Sequence, residues 1–378
     1  MGIQIHAIDV LGNKKDRQRF IEFPWSVYKN DPNWVPPLKL AVSEMFKPSH
    51  PFYSRGELQA FLVTDNQTGE TLGRIAAIYN PVHNDFHQDQ IGFFGFYEAT
   101  ENPEVTELLF QASRKYLIEK GCTEILGPVN LSTNYECGML VDGFDDPPQI
   151  MMTYNPKYYD KLIVNQNLAK AKDILAYKMP TTVQMPEVIQ KISKRAEKSH
   201  QITYRPINKK KWDQEVDLLL EIYNDAWEKN WGFIPMSKEE FRHMAQELKT
   251  VANPRFILIA EVAGEAAGFL VCLPDYNQVF KQIPNGSLFP SGLFKLLTPK
   301  KRINRVRVIT LGIKKKFRMI GLESLLYIKI QEEVLLAGTY TESEMSWILE
   351  DNLNMNKPLI RMGADPYKRY RLYKGPLA

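Results

Sequence analysis

One order of elements is written twice along this chain, and that repeat limits the fold more than any single motif. In the first half, residues 16–30 have a helical pattern. Residues 58–80 are two apolar runs around a polar turn at Asn66–Gly69, which reads as a hairpin. A strand follows at 91–99 and a helix at 102–121, with Pro103 near its start and Gly121 at its end. Then come a strand at 124–134, a helix at 156–173 and a strand at 174–180. The second half repeats this order: helix 211–231, hairpin 255–274 turning at Gly264, strand 305–313, helix 321–338, strand 342–352, short helix 355–364 and strand 367–377. Such an order predicts an α/β fold: two tandem domains, each with a mixed, largely antiparallel central sheet flanked by helices. The 378 residues suit two domains better than one core. The boundaries expected are 1–180 and 202–378, with the polar, charged stretch 181–201 as linker.

Composition narrows the functional classes. Apolar residues make up 44% and charged residues 24%, as in globular domains. A net charge of +4 is too mild to imply nucleic-acid binding. The three cysteines, Cys122, Cys137 and Cys272, form no Cys-x-x-Cys pair, which favours a reducing compartment over a disulfide or zinc framework. The start "MGIQIHAIDVLG" has no signal-peptide core, and Ile5-His6 misses the Ser/Thr of a myristoylation signal. No apolar run reaches transmembrane length. The expectation is a cytoplasmic protein.

The stretch "VITLGIKKKFRMIGLESLLYIKI", residues 308–330, puts a β-branched strand, a basic turn, Arg-x-x-Gly and an apolar helix in line. Amides at a helix start have no intrahelical partner, and the positive end of the helix attracts anions. Lys300, Lys301, Arg302, Arg305, Arg307, Lys314, Lys315, Lys316, Arg318 and Lys329 surround this turn against one acid, Glu323. Such a cluster suits a polyanionic ligand.

With that junction in its second half, the repeated order resembles the GNAT superfamily of acyl-CoA-dependent N-acyltransferases, best over residues 202–378. Within it, the chain looks like large bacterial GNAT-like proteins, some of which serve as N-acyltransferases of sphingoid bases. The resemblance implies that acyl-CoA is the co-substrate, that an amine is the acceptor and that no metal is needed. It places coenzyme A at the 311–323 junction, on Leu311, Gly312, Ile313, Arg318, Gly321 and Leu322. Glu323 stands where the family has a small residue. Leu359 stands where the family often has the Tyr that protonates the departing thiolate, which leaves Tyr367, Tyr370 or Tyr373 to supply it. The first-half junction lacks Arg-x-x-Gly and carries Glu98, Glu101 and Glu104, so the first half is expected to shape the acceptor side.

Amine acylation needs a base, because the ammonium must lose a proton to attack. Two polar stretches offer one. Residues 127–148 hold Glu136 as a candidate base, with Asn130 and Asn134 as a polar wall. Turn-forming residues are equally at home in such a loop. Residues 346–356 hold Glu350, Asn352 and Trp347 at a strand end, although Asp351 and Asn352 also make good helix caps. Glu342 and Glu344 are further candidate bases. Cys137 has no His nearby in sequence and reads as a small buried residue. Among the six histidines only His83 and His87 lie close in sequence, in a stretch that reads as a polar loop.

Residues 279–297 carry Val279, Phe280, Leu288, Phe289, Leu293, Phe294, Leu296 and Leu297 among Pro284, Gly286, Pro290 and Gly292. That much apolar surface in a loop must cover core, acyl chain or membrane. The expectation is a lid or channel for a long acyl chain, and apolar residues followed by lysines also suit a peripheral membrane contact. Two other uses of the fold compete: an aminoacyl-transfer-RNA-dependent transferase, and a non-catalytic binding protein.

Overall fold

The computed structural model describes residues 2–199, 201–298 and 303–378. The chain forms two compact units that are not two consecutive stretches. The first comprises Met1–Ile174, Phe280–Leu297 and Lys368–Ala378; the second comprises Leu175–Val279 and Thr298–Tyr367.

In chain order the elements run β1 (Ile3–Ile8), α1 (Lys14–Glu22), α2 (Pro24–Val27), α3 (Lys39–Glu44), β2 (Glu57–Asp65), β3 (Thr71–Tyr79), α4 (Pro81–His87), β4 (Ile91–Ala99), α5 (Pro103–Glu119), β5 (Glu124–Gly127), β6 (Met139–Asp142), α6 (Tyr159–Val164) and β7 (Ala169–Pro180). They continue with α7 (Glu187–Glu197), β8 (Ile202–Pro206), α8 (Trp212–Trp227), α9 (Lys238–Leu248), β9 (Ile257–Val262), β10 (Glu265–Pro274), α10 (Asn277–Phe280), α11 (Gly292–Leu297), β11 (Arg305–Ile313), α12 (Leu322–Ala337), β12 (Glu342–Leu349), α13 (Leu353–Arg361) and β13 (Asp365–Pro376). The pairs β4–β5 and β11–β12 are parallel, while β1–β2, β2–β3, β3–β4, β8–β9, β9–β10 and β10–β11 are antiparallel, the mixed, largely antiparallel pattern that the repeated order predicts.

In the first unit the strands run β1-β2-β3-β4-β5-β13, with β6 beside β13. The β2–β3 hairpin is set by Asp65, whose Oδ1 accepts from the amides of Gln67 at 2.8 Å and Thr68 at 2.9 Å, while Gly69 takes φ 70°. The amides of Thr68 and Gln67 hold the Asp65 carboxyl below its ordinary range. Helix α5 lies on this sheet. Phe94 and Phe110 meet edge to face at 5.0 Å, and Gly92 leaves room for Leu117, which a Cβ there would meet at 2.5 Å. The stretch around His83 and His87 is helix α4 rather than a loop: Asn80 caps it and Pro81 opens it.

In the second unit the strands run β7-β12-β11-β10-β9-β8. Ala263 and Gly264, both with positive φ, make the β9–β10 turn. Leu322, Leu326, Ile330 and Val334 of α12 pack on Leu258, Leu270 and Val306. A fully buried side chain of this size contributes roughly 1.5–3 kcal/mol. The stretch 181–201 is more than a linker, since its helix α7 packs against α12.

Candidate active site

Strands β11 and β12 of the second unit pair for only part of their length. The parallel register runs from Arg305↔Glu342 to Val308↔Met345 and stops, although β11 continues to Ile313 and β12 to Leu349. Beyond that point β11 stays with β10, and the register shifts between Val271 and Cys272 so that Ile309 bulges. On the other side Trp347 takes φ 62°, uncommon for a non-glycine residue. The diverging strands leave a wedge. Trp347 Nε1 and Thr310 Oγ1 are buried in its walls and have no hydrogen-bond partner among the described residues. Buried polar groups are usually paired, so this pair marks a place where a ligand could supply partners.

The turn after β11 leads to α12. Met319 has φ 69° and is 94% exposed, and Gly321, the N-cap, has φ 91°. No side chain caps α12, and its first intrahelical bond is Leu325 N to Gly321 O at 3.1 Å. The amides of Leu322, Glu323 and Ser324 therefore precede the helical ladder and point out of its positive end. A Cβ on Gly321 would meet Ile192 Cγ2 of α7 at 2.7 Å, so glycine serves both the φ and the close approach.

The lysines around this turn are already engaged. Lys314 pairs with Glu221 at 2.5 Å and Lys316 with Glu265 at 2.7 Å, while Lys315 pairs with Glu228. The Lys315 amide also donates to Asp225 at 2.6 Å. Arg318 donates to the carbonyls of Ala226 at 2.7 Å and Ile313 at 3.3 Å, tying the turn to the ends of α8 and β11. Gly312 is covered by Trp227, which a Cβ there would meet at 2.3 Å. Leu311 and Ile313 face the α12 core, with Ile313 buried. The surplus of positive charge read from the sequence is thus largely cancelled by acids remote in sequence. Lys300, Lys301 and Arg302 lie outside the described residues, as does His200.

A polar cluster sits at the paired base of the wedge. Glu344 is fully buried and Arg307 is 2% exposed. Arg307 Nε donates to Ser346 Oγ at 2.6 Å and lies 3.3 Å from Glu344 Oε1. The Tyr367 hydroxyl donates to Glu344 Oε2, and Lys178 Nζ stands 4.9 Å from the Tyr367 ring centre. Glu344 Oε1 pairs with Arg307 only as a charge, without hydrogen-bond geometry, and accepts no hydrogen bond among the described residues. Glu350 and Asn352 lie at the end of β12. Asn352 is the N-cap of α13, though its side chain caps nothing, and the Glu350 carbonyl accepts from Asn356 at 3.1 Å. Leu359 is buried in an apolar wall. The structure therefore brings Trp347, Tyr367 and Glu344 to one wedge. Tyr370 and Tyr373 belong to the first unit.

The equivalent place in the first unit is closed. The parallel pairing of β4 and β5 ends at Phe93↔Leu126, yet the following residues stay together. Val129 N donates to Phe94 O at 2.8 Å, and Phe96 N donates to Asn130 Oδ1 at 2.8 Å. A Cβ on Gly95 would lie 2.1 Å from Val129 O, so only glycine permits this approach. Helix α5 is capped by Asn102, which accepts from Glu104 N at 3.0 Å, and Pro103 at N1 has no amide hydrogen to offer. Glu98 is half-buried with Arg74 at 3.7 Å and accepts on Oε2 from the hydroxyls of Tyr28 and Tyr159, each at 2.8 Å. Burial pushes its carboxyl up, against the pull of Arg74. The loop 127–148 is held by Asn130 N to Glu136 O at 2.9 Å and by Asn134 N to Ser132 Oγ at 3.2 Å. Burial, aided by Glu136, pushes the Cys137 thiol up to about 12, which leaves no thiolate for nucleophilic work.

Among the described residues, no three His, Cys, Asp or Glu side chains converge as a metal site, and no helix is long and apolar enough to cross a membrane.

No family model matches the chain. A solved tandem GNAT protein from the clavulanic acid biosynthesis pathway superposes with a TM-score of 0.60, covering 100% of this chain and 99% of its own at 10% identity. The fold is thus a tandem GNAT fold. Two curated relatives are much closer in sequence. Bacterial ceramide synthase of Caulobacter vibrioides is 36% identical over 95% of this chain and 94% of its own. Protein YghO of Escherichia coli K12 is 36% identical over 96% and 93%. The chain belongs to the family of these two proteins, and family and fold together make it an N-acyltransferase.

Proposed function

We propose that the second unit binds acyl-CoA in the β11–β12 wedge, with the pyrophosphate on the uncapped start of α12, and transfers the acyl group to a long-chain amine. The observation that carries this reading is the wedge, where Trp347 Nε1 and Thr310 Oγ1 have no partner among the described residues, beside a helix start that no described side chain caps. The name of the Caulobacter relative supports a lipid amine as acceptor.

In this reading Glu344 is the base. The amine nitrogen attacks the thioester carbonyl, the C–N bond forms and the C–S bond breaks. Of the two protons that the ammonium sheds on becoming an amide, one leaves to solvent before attack and the other goes to Glu344 Oε1, which accepts no hydrogen bond among the described residues; coenzyme A leaves as thiolate. Arg307 balances the buried carboxylate and Tyr367 positions it through the other oxygen. Thiolate departure needs little help from an acid, given a thiol pKa near 8.5, so Leu359 in place of a tyrosine is compatible with turnover. Glu136 and Glu350 are the competing carboxylates.

Phe289, Phe294 and Leu297 of the first unit are 74%, 66% and 71% exposed, beside Lys295. Rather than lining a buried channel, this patch suits contact with a membrane surface that presents the lipid acceptor.

The test is incubation of the purified protein with palmitoyl-CoA and sphinganine, with mass spectrometry for the amide and a thiol assay for free coenzyme A. Amide and thiol appearing one for one supports the reading. Thiol release without amide would mean hydrolysis and would overturn it.

A further inference from the structure

Below the paired base of β11 and β12, the second unit contains a small apolar cavity of about 40 Å³, between the sheet and helices α12 and α13. The polar atoms in its wall are already engaged. Gln331 Nε2 donates to the carbonyls of Thr181 at 2.9 Å and Val183 at 2.7 Å; Ser343 Oγ donates to Met179 O at 3.3 Å; the Tyr327 hydroxyl lies 3.6 Å from Met355 Sδ. What remains is hydrocarbon and thioether. Water needs two or more polar partners to stay in a cavity, and apolar cavities remain dry and take apolar guests. Met179, Met185, Met345 and Met362 all line it, and unbranched thioether side chains reshape around a guest more readily than branched ones.

Its position gives the guest a direction. Val308 and Met345 are the last paired residues before the strands diverge, and both also line the cavity. From there the wall continues along Val306, Ile330 and Val334, away from the wedge. None of residues 280–297 contributes to it.

We propose that this cavity takes the distal methylenes of the donor's acyl chain and thereby sets the preferred chain length. The proposal rests on the acyl-CoA reading above. A long-chain acceptor offers the same chemistry, an unbranched alkyl chain. The donor is favoured because Val308 and Met345, at the point of divergence where the thioester carbonyl would lie, line the cavity, and because it is on the α12 face of the sheet. Each methylene that gains burial should tighten binding roughly fourfold.

The experiment is a matrix of acetyl-, octanoyl-, lauroyl- and palmitoyl-CoA against amine acceptors of short and long chain. It is run on wild type, on Val334→Phe to fill the cavity and on Val334→Ala to enlarge it, with thermal melts to confirm folding. The ratio of kcat/KM for palmitoyl-CoA to that for acetyl-CoA should fall at least tenfold in Val334→Phe and rise in Val334→Ala. If Val334→Phe does not fold, the Val334→Ala shift toward longer donors decides alone. Acetyl-CoA turnover with a ratio unchanged by either variant would overturn the cavity assignment and leave acyl transfer standing. A shift along the acceptor series instead would assign the cavity to the amine and overturn the donor assignment. No turnover with any acyl-CoA would overturn both.

Discussion

The two units carry the same parallel strand pair and the same following helix, yet one start is sealed and the other is open. Helix α5 has Asn102 over its amides and a proline at its first position; α12 has Gly321 and no cap. Past Phe93, β4 stays joined to the chain at Val129 and Asn130; past Val308, β11 and β12 separate. The carboxylates are held alike: Glu98 takes two tyrosine hydroxyls on Oε2 with Arg74 3.7 Å from Oε1, and Glu344 takes Tyr367 on Oε2 with Arg307 3.3 Å from Oε1. A repeated fold supplies two potential sites, and local capping and backbone approach decide which one stays available.

The largest expected effect separates the two carboxylates. Glu344→Gln should lower kcat by roughly 100-fold or more, the usual worth of a positioned base, with donor affinity nearly unchanged. Glu98→Gln should leave kcat close to wild type. Steady-state kinetics with palmitoyl-CoA and a long-chain amine reads both, and equal losses would erase the distinction drawn between the units.

Acid should find the first unit first. Burial lowers the His83 pKa to about 4 in spite of Asp89 at 3.4 Å. As pH falls from the ordinary histidine value of about 6.5, the unfolded chain takes up a proton that the folded one refuses. Stability therefore drops across that window, by at most about 3 kcal/mol at pH 4. In denaturant unfolding at pH 7, 5.5 and 4.5, His83→Gln should show a shallower acid loss than wild type. Parallel curves would mean that His83 titrates normally.

The smallest effect is that of the cap. Asn102→Ala should cost about 1 kcal/mol of stability and leave acyl-CoA affinity alone. A change in affinity would show that α5 also takes part in donor binding.

Much of the fold is legible because hairpins, helix stops and apolar periodicity are local. The turn at Asp65–Gly69, the proline and glycine around α5 and the glycine before α12 each act within a few residues. The site is less legible because its contacts are not local. Arg307, Glu344 and Tyr367 meet only through sheet register, and Tyr367 stands 23 residues from the carboxylate it holds. The basic run at Lys314–Lys316 reads as an anion site in sequence, but its partners Glu221, Glu228 and Glu265 lie on α8, just past its end and on β10, with Glu221 93 residues from Lys314. The assignment of residues 280–297 and 368–378 to the first unit is likewise a property of packing, with no local signal. Arg307 could have been found only by asking which lysine or arginine falls on a strand flanked by apolar residues and so needs a buried partner.

The central claim is that one donor site exists per chain and that it lies in the second unit. Titration calorimetry with palmitoyl-CoA tests it most directly, on wild type, Asn102→Ala and Arg318→Glu. The account predicts one site per chain, unchanged affinity in Asn102→Ala, and binding weakened by about 1–3 kcal/mol in Arg318→Glu, where a charge-assisted anchor of the turn is reversed. Two sites per chain, or full affinity in Arg318→Glu together with loss in Asn102→Ala, would contradict it.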